Sequence, residues 1–103
     1  MQRAHPNLNL DWEQLAAFCR KWGIVEFALF GSLARGDFRT DSDMDVMVRF
    51  APDARRDLFD IVHMKEELAA LTGRAVDLTE KGRIENPFRR RSIERDLTII
   101  YAA

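Results

Sequence analysis

Two aspartates near the middle of the chain, Asp43 and Asp45, are the residues whose type and spacing most clearly predict chemistry. They open an alternating apolar run, so a period of two places both carboxylates on the same face of a strand. Neighbouring carboxylates repel each other, and removing them from water raises their free energy further. A divalent cation that prefers oxygen ligands, such as Mg²⁺, would offset that repulsion. The spacing therefore predicts a metal-binding pair where this strand begins.

A glycine–serine pair, Gly31 and Ser32, follows an earlier apolar run at residues 24–30 and predicts a phosphate-binding turn. A glycine at a strand end lets the backbone approach a ligand closely, and the Ser32 hydroxyl and the following amides can hold phosphate oxygens. Arg35 is near enough in the sequence to add a positive charge beside them. Because this pair ends one strand and the aspartates begin the next, both reach one edge of the sheet only if the strands are antiparallel.

The combination of Gly-Ser, ten residues and Asp-x-Asp resembles the signature of the nucleotidyltransferase superfamily that includes DNA polymerase beta. The fuller strings, GSLARG at residues 31–36 and DSDMDV at residues 41–46, resemble its minimal nucleotidyltransferase branch. The tail, with Asn-Pro-Phe, a basic helix and Ile-Ile-Tyr-Ala, is similar to the end of that branch. The resemblance implies transfer of AMP from ATP, with two Mg²⁺ ions held by the aspartates and the triphosphate held by the glycine–serine turn. It also implies that Arg35 helps to neutralise the leaving group.

The same resemblance implies a third carboxylate on a following strand, and Asp77 is the acid in that position. Alternation separates it from Val76 and Leu78, and an exposed edge position without a role is the other interpretation of an aspartate there. In the family's role, Asp77 would complete the second metal site and could take the proton of the acceptor. Neither histidine is predicted to act: His63 is interpreted as a surface or boundary residue, and His5 lies in the leading segment.

The acceptor is implied only by the family. Roughly two dozen residues follow Asp77, which we interpret as too few for an acceptor-binding domain. The minimal branch is commonly paired with a HEPN ribonuclease toxin and acts as its antitoxin, in a type VII-like pair, by adding AMP to a toxin tyrosine. Two alternatives stay open: a non-catalytic subunit that binds nucleotide and toxin, and a transferase for a small-molecule hydroxyl or a nucleic-acid end.

Length and composition limit the remaining possibilities. The 103 residues predict a single domain, residues 1–103, and the net charge of -1 predicts no broad attraction to nucleic acid. The only cysteine, Cys19, excludes an internal disulfide. Without an apolar leader or a membrane-length apolar run, we expect a cytoplasmic protein with no membrane partner. The oligomeric state stays open, with a homo-oligomer among the possibilities.

The elements that must position these residues follow from periodicity and from turn signals. The fold expected is α/β (α+β), a mixed, mostly antiparallel sheet of about four strands flanked by helices, as the nucleotidyltransferase resemblance implies. Strands are predicted at residues 24–30, 43–50, 74–79 and 97–101, and helices at 12–22, 57–72 and 88–95, with a short helical turn at 32–35. The second long helix is predicted to bury a stripe of apolar residues, namely Leu58, Ile61, Val62, Leu68 and Leu71.

Two further segments are interpreted from their composition. Residues 1–10 are expected to be a polar lead-in without regular structure. The arginine run of the last helix, Arg89 to Arg91, is interpreted as a solvated face or as a contact for an acidic or phosphate-bearing partner.

Overall fold

The computed structural model describes residues 2–103, and this part of the chain forms six strands and four helices. In chain order the elements are β1 (Arg3–His5), β2 (Leu8–Asp11), α1 (Trp12–Trp22), β3 (Ile24–Phe30), α2 (Gly31–Arg35), β4 (Met44–Phe50), α3 (Leu58–Thr72), β5 (Val76–Glu80), α4 (Pro87–Asp96) and β6 (Thr98–Ala102).

A four-stranded sheet lies at the centre of the fold, in the order β5-β4-β3-β6. Strand β3 is antiparallel to both β4 and β6, whereas β4 and β5 are parallel and are connected through α3. The predicted mixed, mostly antiparallel sheet flanked by helices is therefore confirmed. The strand boundaries differ slightly from the prediction: the third predicted strand begins at Val76 and the last begins at Thr98.

The two faces of the sheet pack against different helices. Val46 and Val48 of β4 lie on the face that forms the main core, together with Phe18 of α1 and with Met64 and Leu68 of α3. These side chains are almost completely buried, so this face holds the domain together.

The opposite face is covered by α4, whose Ile93 packs with Phe30 and Met47 in a smaller cluster. The helix begins where the sequence predicts, because the Asn86 Oδ1 atom accepts hydrogen bonds from the backbone N–H groups of Phe88 and Arg89. Side chains alternate along β4, so Asp45 shares this face with Met47. The predicted site therefore lies on the same side of the sheet as α4 and away from the main core.

The prediction for residues 1–10 is wrong over the described part of that segment, because β1 and β2 form a β-hairpin; residue 1 lies outside the described residues. Leu8 and Leu10 are 0% and 2% exposed and belong to the main core. The two leucines flank Asn9, which is a period-two pattern for a half-buried strand. The polar composition of the surrounding residues concealed that pattern.

The predicted apolar stripe of α3 is wrong in its first half. Leu58 and Val62 are 77% and 43% exposed, whereas Met64 and Leu68 are fully buried. Ile61, Met64 and Leu68 follow helical spacing and pack on the core, and Val62 is turned about 100° away from Ile61. Within residues 2–103 no helix is long and apolar enough to cross a membrane.

Candidate active site

The register of the sheet brings the glycine turn and two of the carboxylates together. In the antiparallel pair of β3 and β4, Phe30 is opposite Asp45, and Gly31 follows Phe30 directly. In the parallel pair of β4 and β5, Asp45 is opposite Asp77. The antiparallel arrangement that a shared site requires is present, and Asp45 lies between the end of β3 and Asp77.

Gly31 lies directly against the Asp45 carboxylate. Its φ angle of +72° belongs to the left-handed region, which side chains other than glycine rarely adopt. A Cβ atom built on this residue would overlap Oδ2 of Asp45. The absence of a side chain therefore permits both the turn into α2 and the close approach of backbone to carboxylate.

Asp45 is the most constrained of the three carboxylates. Its side chain is half-buried, whereas Asp43 and Asp77 are exposed. Burial raises the pKa of Asp45 above its ordinary value, and the negative charges of Asp77 and Asp43 raise it further. The three predicted carboxylates thus interact electrostatically, with Asp45 at the centre.

Asp43 lies immediately before β4 and not within it, which corrects the predicted strand boundary. The strand begins one residue later, where the Met44 N–H donates to the Ala75 carbonyl oxygen at 2.8 Å. The backbone around Asp43 is therefore fixed to the chain just before β5. Asp43 stays near Asp45 although it lies outside the sheet.

Arg35, predicted to assist a leaving group, is engaged in ion pairs. Its Nε and Nη1 atoms donate to Asp37 at 3.2 Å and to Asp96 at 3.0 Å. These two hydrogen bonds raise the pKa of Arg35. Its charge also lowers the pKa of Asp45, so Arg35 is close to the site, but two carboxylates already compensate it.

The carboxylates fit a magnesium ion that arrives with a substrate. Among residues 2–103, no three His, Cys, Asp or Glu side chains form a ready-made metal cluster. Mg²⁺ usually binds proteins through one or two carboxylates and completes its shell with water and substrate phosphates. Asp45 and Asp77, opposite each other and repelling, provide such a partial set beside Asp43.

Two positioning residues were missed by the sequence analysis. The Asn7 side chain, at the tip of the β1–β2 hairpin, donates to the Leu33 carbonyl oxygen of α2 at 2.8 Å. Arg74 Nη1 donates to the carbonyl oxygens of Arg39 and Ser42, both at 2.9 Å, in the loop that leads to Asp43. Both contacts join segments that are distant in the chain, and no local pattern could have revealed them.

A sheet edge with a glycine turn and convergent carboxylates is the arrangement expected of a nucleotidyl-transferring enzyme. The family model for the nucleotidyltransferase domain matches residues 13–100, and this chain belongs to that family. The resemblance inferred from the Gly-Ser and Asp-x-Asp motifs is thereby confirmed.

Similar proteins agree with this assignment. A Methanocaldococcus jannaschii protein, the candidate protein adenylyltransferase MJ1379, is 38% identical over 80 residues, which cover 78% of this chain and 80% of the relative. A solved toxin-antitoxin structure with AMP-PNP has a TM-score of 0.73 at 19% identity, covering 91% of this chain and 75% of that chain. A Shewanella oneidensis structure of a tri-AMPylated HEPN toxin with an MNT antitoxin has a TM-score of 0.64 at 16% identity, covering 89% and 70%. At these identities the two structures show a common fold.

Proposed function

We propose that this chain is a Mg²⁺-dependent protein adenylyltransferase, which transfers AMP from ATP to a tyrosine hydroxyl of a HEPN toxin and so acts as its antitoxin. The observation that carries the proposal is the convergence of three residues at one edge of the sheet: Gly31 directly after β3, Asp45 in β4 and Asp77 in β5. Nucleotidyl transfer requires a triphosphate site and a carboxylate site in contact with each other, because catalysis here consists mainly of positioning and charge stabilisation.

Each predicted residue has a role that suits its place. Gly31 and Ser32 would hold the β- and γ-phosphates, and Arg35 would add positive charge beside them. Asp43, Asp45 and Asp77 would hold two Mg²⁺ ions. Bound Mg²⁺ neutralises the charge of a triphosphate and makes a coordinated hydroxyl more acidic.

The reaction forms one bond and breaks one. The acceptor oxygen bonds to the α-phosphorus, while the bond from that phosphorus to the oxygen that bridges it to the β-phosphate breaks. Pyrophosphate leaves with the bonding electron pair, and the hydroxyl proton passes to the Asp77 carboxylate, which acts as general base. Asp77 is exposed at the sheet edge, where an acceptor carried by another protein can reach it.

The nature of the partner is supported by the similar proteins. One structure with this fold contains AMP-PNP in a toxin-antitoxin complex, and another contains a tri-AMPylated HEPN toxin. The relative in Methanocaldococcus jannaschii is named as a candidate protein adenylyltransferase. The net charge of -1 favours a protein acceptor over a nucleic-acid end, because it provides no broad attraction to phosphates.

The test mixes the chain with any HEPN protein that is encoded beside its gene, ATP and Mg²⁺, and follows the addition of AMP units by mass spectrometry. We expect Asp43→Asn to abolish the mass increase. Asp77→Asn should lower the transfer rate by roughly 10²–10⁴ while leaving ATP affinity within a few fold, as the loss of a general base does. Asp41→Asn, an exposed acid near Asp43, is the matched control and should retain the wild-type rate.

The outcomes distinguish the alternatives. A wild-type chain that binds the partner yet never modifies it would replace the enzyme by a non-catalytic antitoxin. An Asp77→Asn variant as active as wild type would keep the enzyme and remove Asp77 from its site. Transfer to a small-molecule hydroxyl in place of the protein would overturn the proposed acceptor.

A further inference from the structure

Helix α4 lies across the face of the sheet that carries the candidate site, and one of its sides is fixed there. Ile93 packs with Phe30 and Met47. Phe30 of β3 is opposite Asp45, and Met47 lies two positions after Asp45 in β4. Arg89 is four residues before Ile93 and therefore lies on the same side of the helix, one turn away. This spacing turns Arg89 toward the site.

Asp96 confirms the orientation of that side of the helix. It is seven residues, or about two turns, after Arg89. The two side chains therefore point in nearly the same direction and lie about 10 Å apart along the helix axis. Asp96 binds Arg35 at 3.0 Å, at the end of α2. The side of α4 that carries Arg89, Ile93 and Asp96 therefore faces the sheet and the end of α2.

The two arginines at this border differ in their charge balance. Arg35 is compensated by Asp37 and Asp96. The ion pairs present in residues 2–103 do not include Arg89, whose side chain is exposed. The positive charge of Arg89 also lowers the pKa of Asp45, in agreement with its position beside the carboxylates. Of the two cations, Arg89 is the one outside any ion pair in the described part of the chain.

We propose that Arg89 binds the phosphate groups of the nucleoside triphosphate at this site. A guanidinium group presents donors in a planar fork that matches two phosphate oxygens at once, and its charge offsets part of the triphosphate's charge beside three carboxylates. Arg91 stays outside this role, because the rotation of the helix turns it to the side opposite Ile93. The inference rests on the proposed nucleotidyl transfer and adds a binding residue to it.

The test measures ATP binding by calorimetry with Mg²⁺ present for the wild-type chain and for Arg89→Ala, Arg89→Lys and Arg91→Ala. Arg89→Ala should bind ATP about 10- to 100-fold more weakly, as expected for one lost hydrogen-bonded charge. Arg89→Lys should recover part of the affinity, because it restores the charge without the fork. Arg91→Ala removes the same charge from the same helix and should change affinity by no more than about 2-fold.

The thermal midpoint of each variant provides the control for folding. The hydrogen bond of Arg89 to Asn86 uses the backbone N–H, so the substitutions preserve it and the midpoints should agree. Equal ATP affinity in the wild type and Arg89→Ala would overturn the inference while keeping the proposed function. Equal losses in Arg89→Ala and Arg91→Ala would also overturn it, in favour of a general charge effect. A wild-type chain that binds no ATP would overturn the proposed function itself.

Discussion

Position 31 requires a left-handed backbone conformation and space for the Asp45 carboxylate, and glycine is the amino acid that satisfies both requirements. Its φ angle of +72° is strained for any side chain, and a Cβ atom would occupy the space of the Asp45 carboxylate. The turn at Gly31 and the Asp45 carboxylate are therefore in contact because this residue has no side chain. This explains, in physical terms, why glycine and aspartate are found together in the motif although their sequence positions are far apart.

The raised pKa of Asp45 leads to a prediction about stability and pH. An acid whose pKa is higher in the folded state than in the unfolded state destabilises the fold once it is ionised. In metal-free buffer, Asp45→Asn should therefore have a higher thermal midpoint than wild type at neutral pH. The difference should shrink as pH falls through the folded pKa of Asp45 and vanish below its ordinary value of 3.8, because wild-type Asp45 is then also neutral.

The measurement is a series of thermal melts across pH for both chains, with Asp53→Asn as the control for a charge removed from an exposed turn. Adding Mg²⁺ and ATP should stabilise wild type more than Asp45→Asn, because the ligands bind the folded state through this carboxylate. A pH-independent difference between wild type and Asp45→Asn would contradict the electrostatic explanation.

At the scale of elements, the loop before β4 depends on an arginine from the segment between α3 and β5. Arg74 holds the carbonyl oxygens of Arg39 and Ser42, and the Ser42 hydroxyl accepts a hydrogen bond from the Arg39 N–H at 2.7 Å. We expect Arg74→Ala to loosen this loop, speed hydrogen exchange at the amides of residues 39 and 42, and lower the transfer rate roughly 10- to 100-fold through misplacement of Asp43.

Arg83→Ala is the matched control for that variant, since Arg83 is an exposed arginine that contacts Glu80 and not the loop. It should leave both the exchange of residues 39–42 and the transfer rate unchanged. Faster hydrogen exchange in Arg74→Ala with an unaltered transfer rate would show that the order of this loop does not affect catalysis.

The elements that could be predicted are those whose pattern is local. The alternation of β4, the apolar run of β3 and the Asn86 cap of α4 are each defined by neighbouring residues, and the structure has all three. The partners of Arg35 and Arg74, by contrast, depend on how distant segments meet. The exposure of the start of α3 could not be predicted for a related reason. Periodicity indicates which side of a helix is apolar, but not how far the core extends along the helix.

At the scale of the whole molecule, the two faces of the sheet differ: one carries most of the buried core, and the other carries the candidate site. The face packed by α1, α3 and the β1–β2 hairpin contains the large core, and the face under α4 contains the candidate site with a small cluster. Asp43, Asp45 and Asp77 therefore contribute little to burial, and substitutions there should test chemistry without unfolding the domain. Substitutions in the core should instead lower the free energy of unfolding.

Two leucines test this division and the contribution of the β1–β2 hairpin to the core. Leu8 is 0% exposed in the hairpin, whereas Leu58 is 77% exposed at the start of α3. Leu8→Ala should lower the free energy of unfolding by about 2–5 kcal/mol, the range for a buried leucine that leaves a cavity. A domain of this size has about 5–15 kcal/mol in total, so the thermal midpoint should fall by on the order of 10 °C or more.

Leu58→Ala makes the same chemical change where the side chain is in water, and it should alter stability by no more than about 0.5 kcal/mol. Denaturant unfolding of both variants, monitored by tryptophan fluorescence and circular dichroism, measures the two free energies. If Leu8→Ala were as stable as Leu58→Ala, the hairpin would contribute little to the stability of the domain, as its polar composition suggested. A large loss for Leu8→Ala alone would make residues 3–11 part of the folding unit that supports α2 through Asn7.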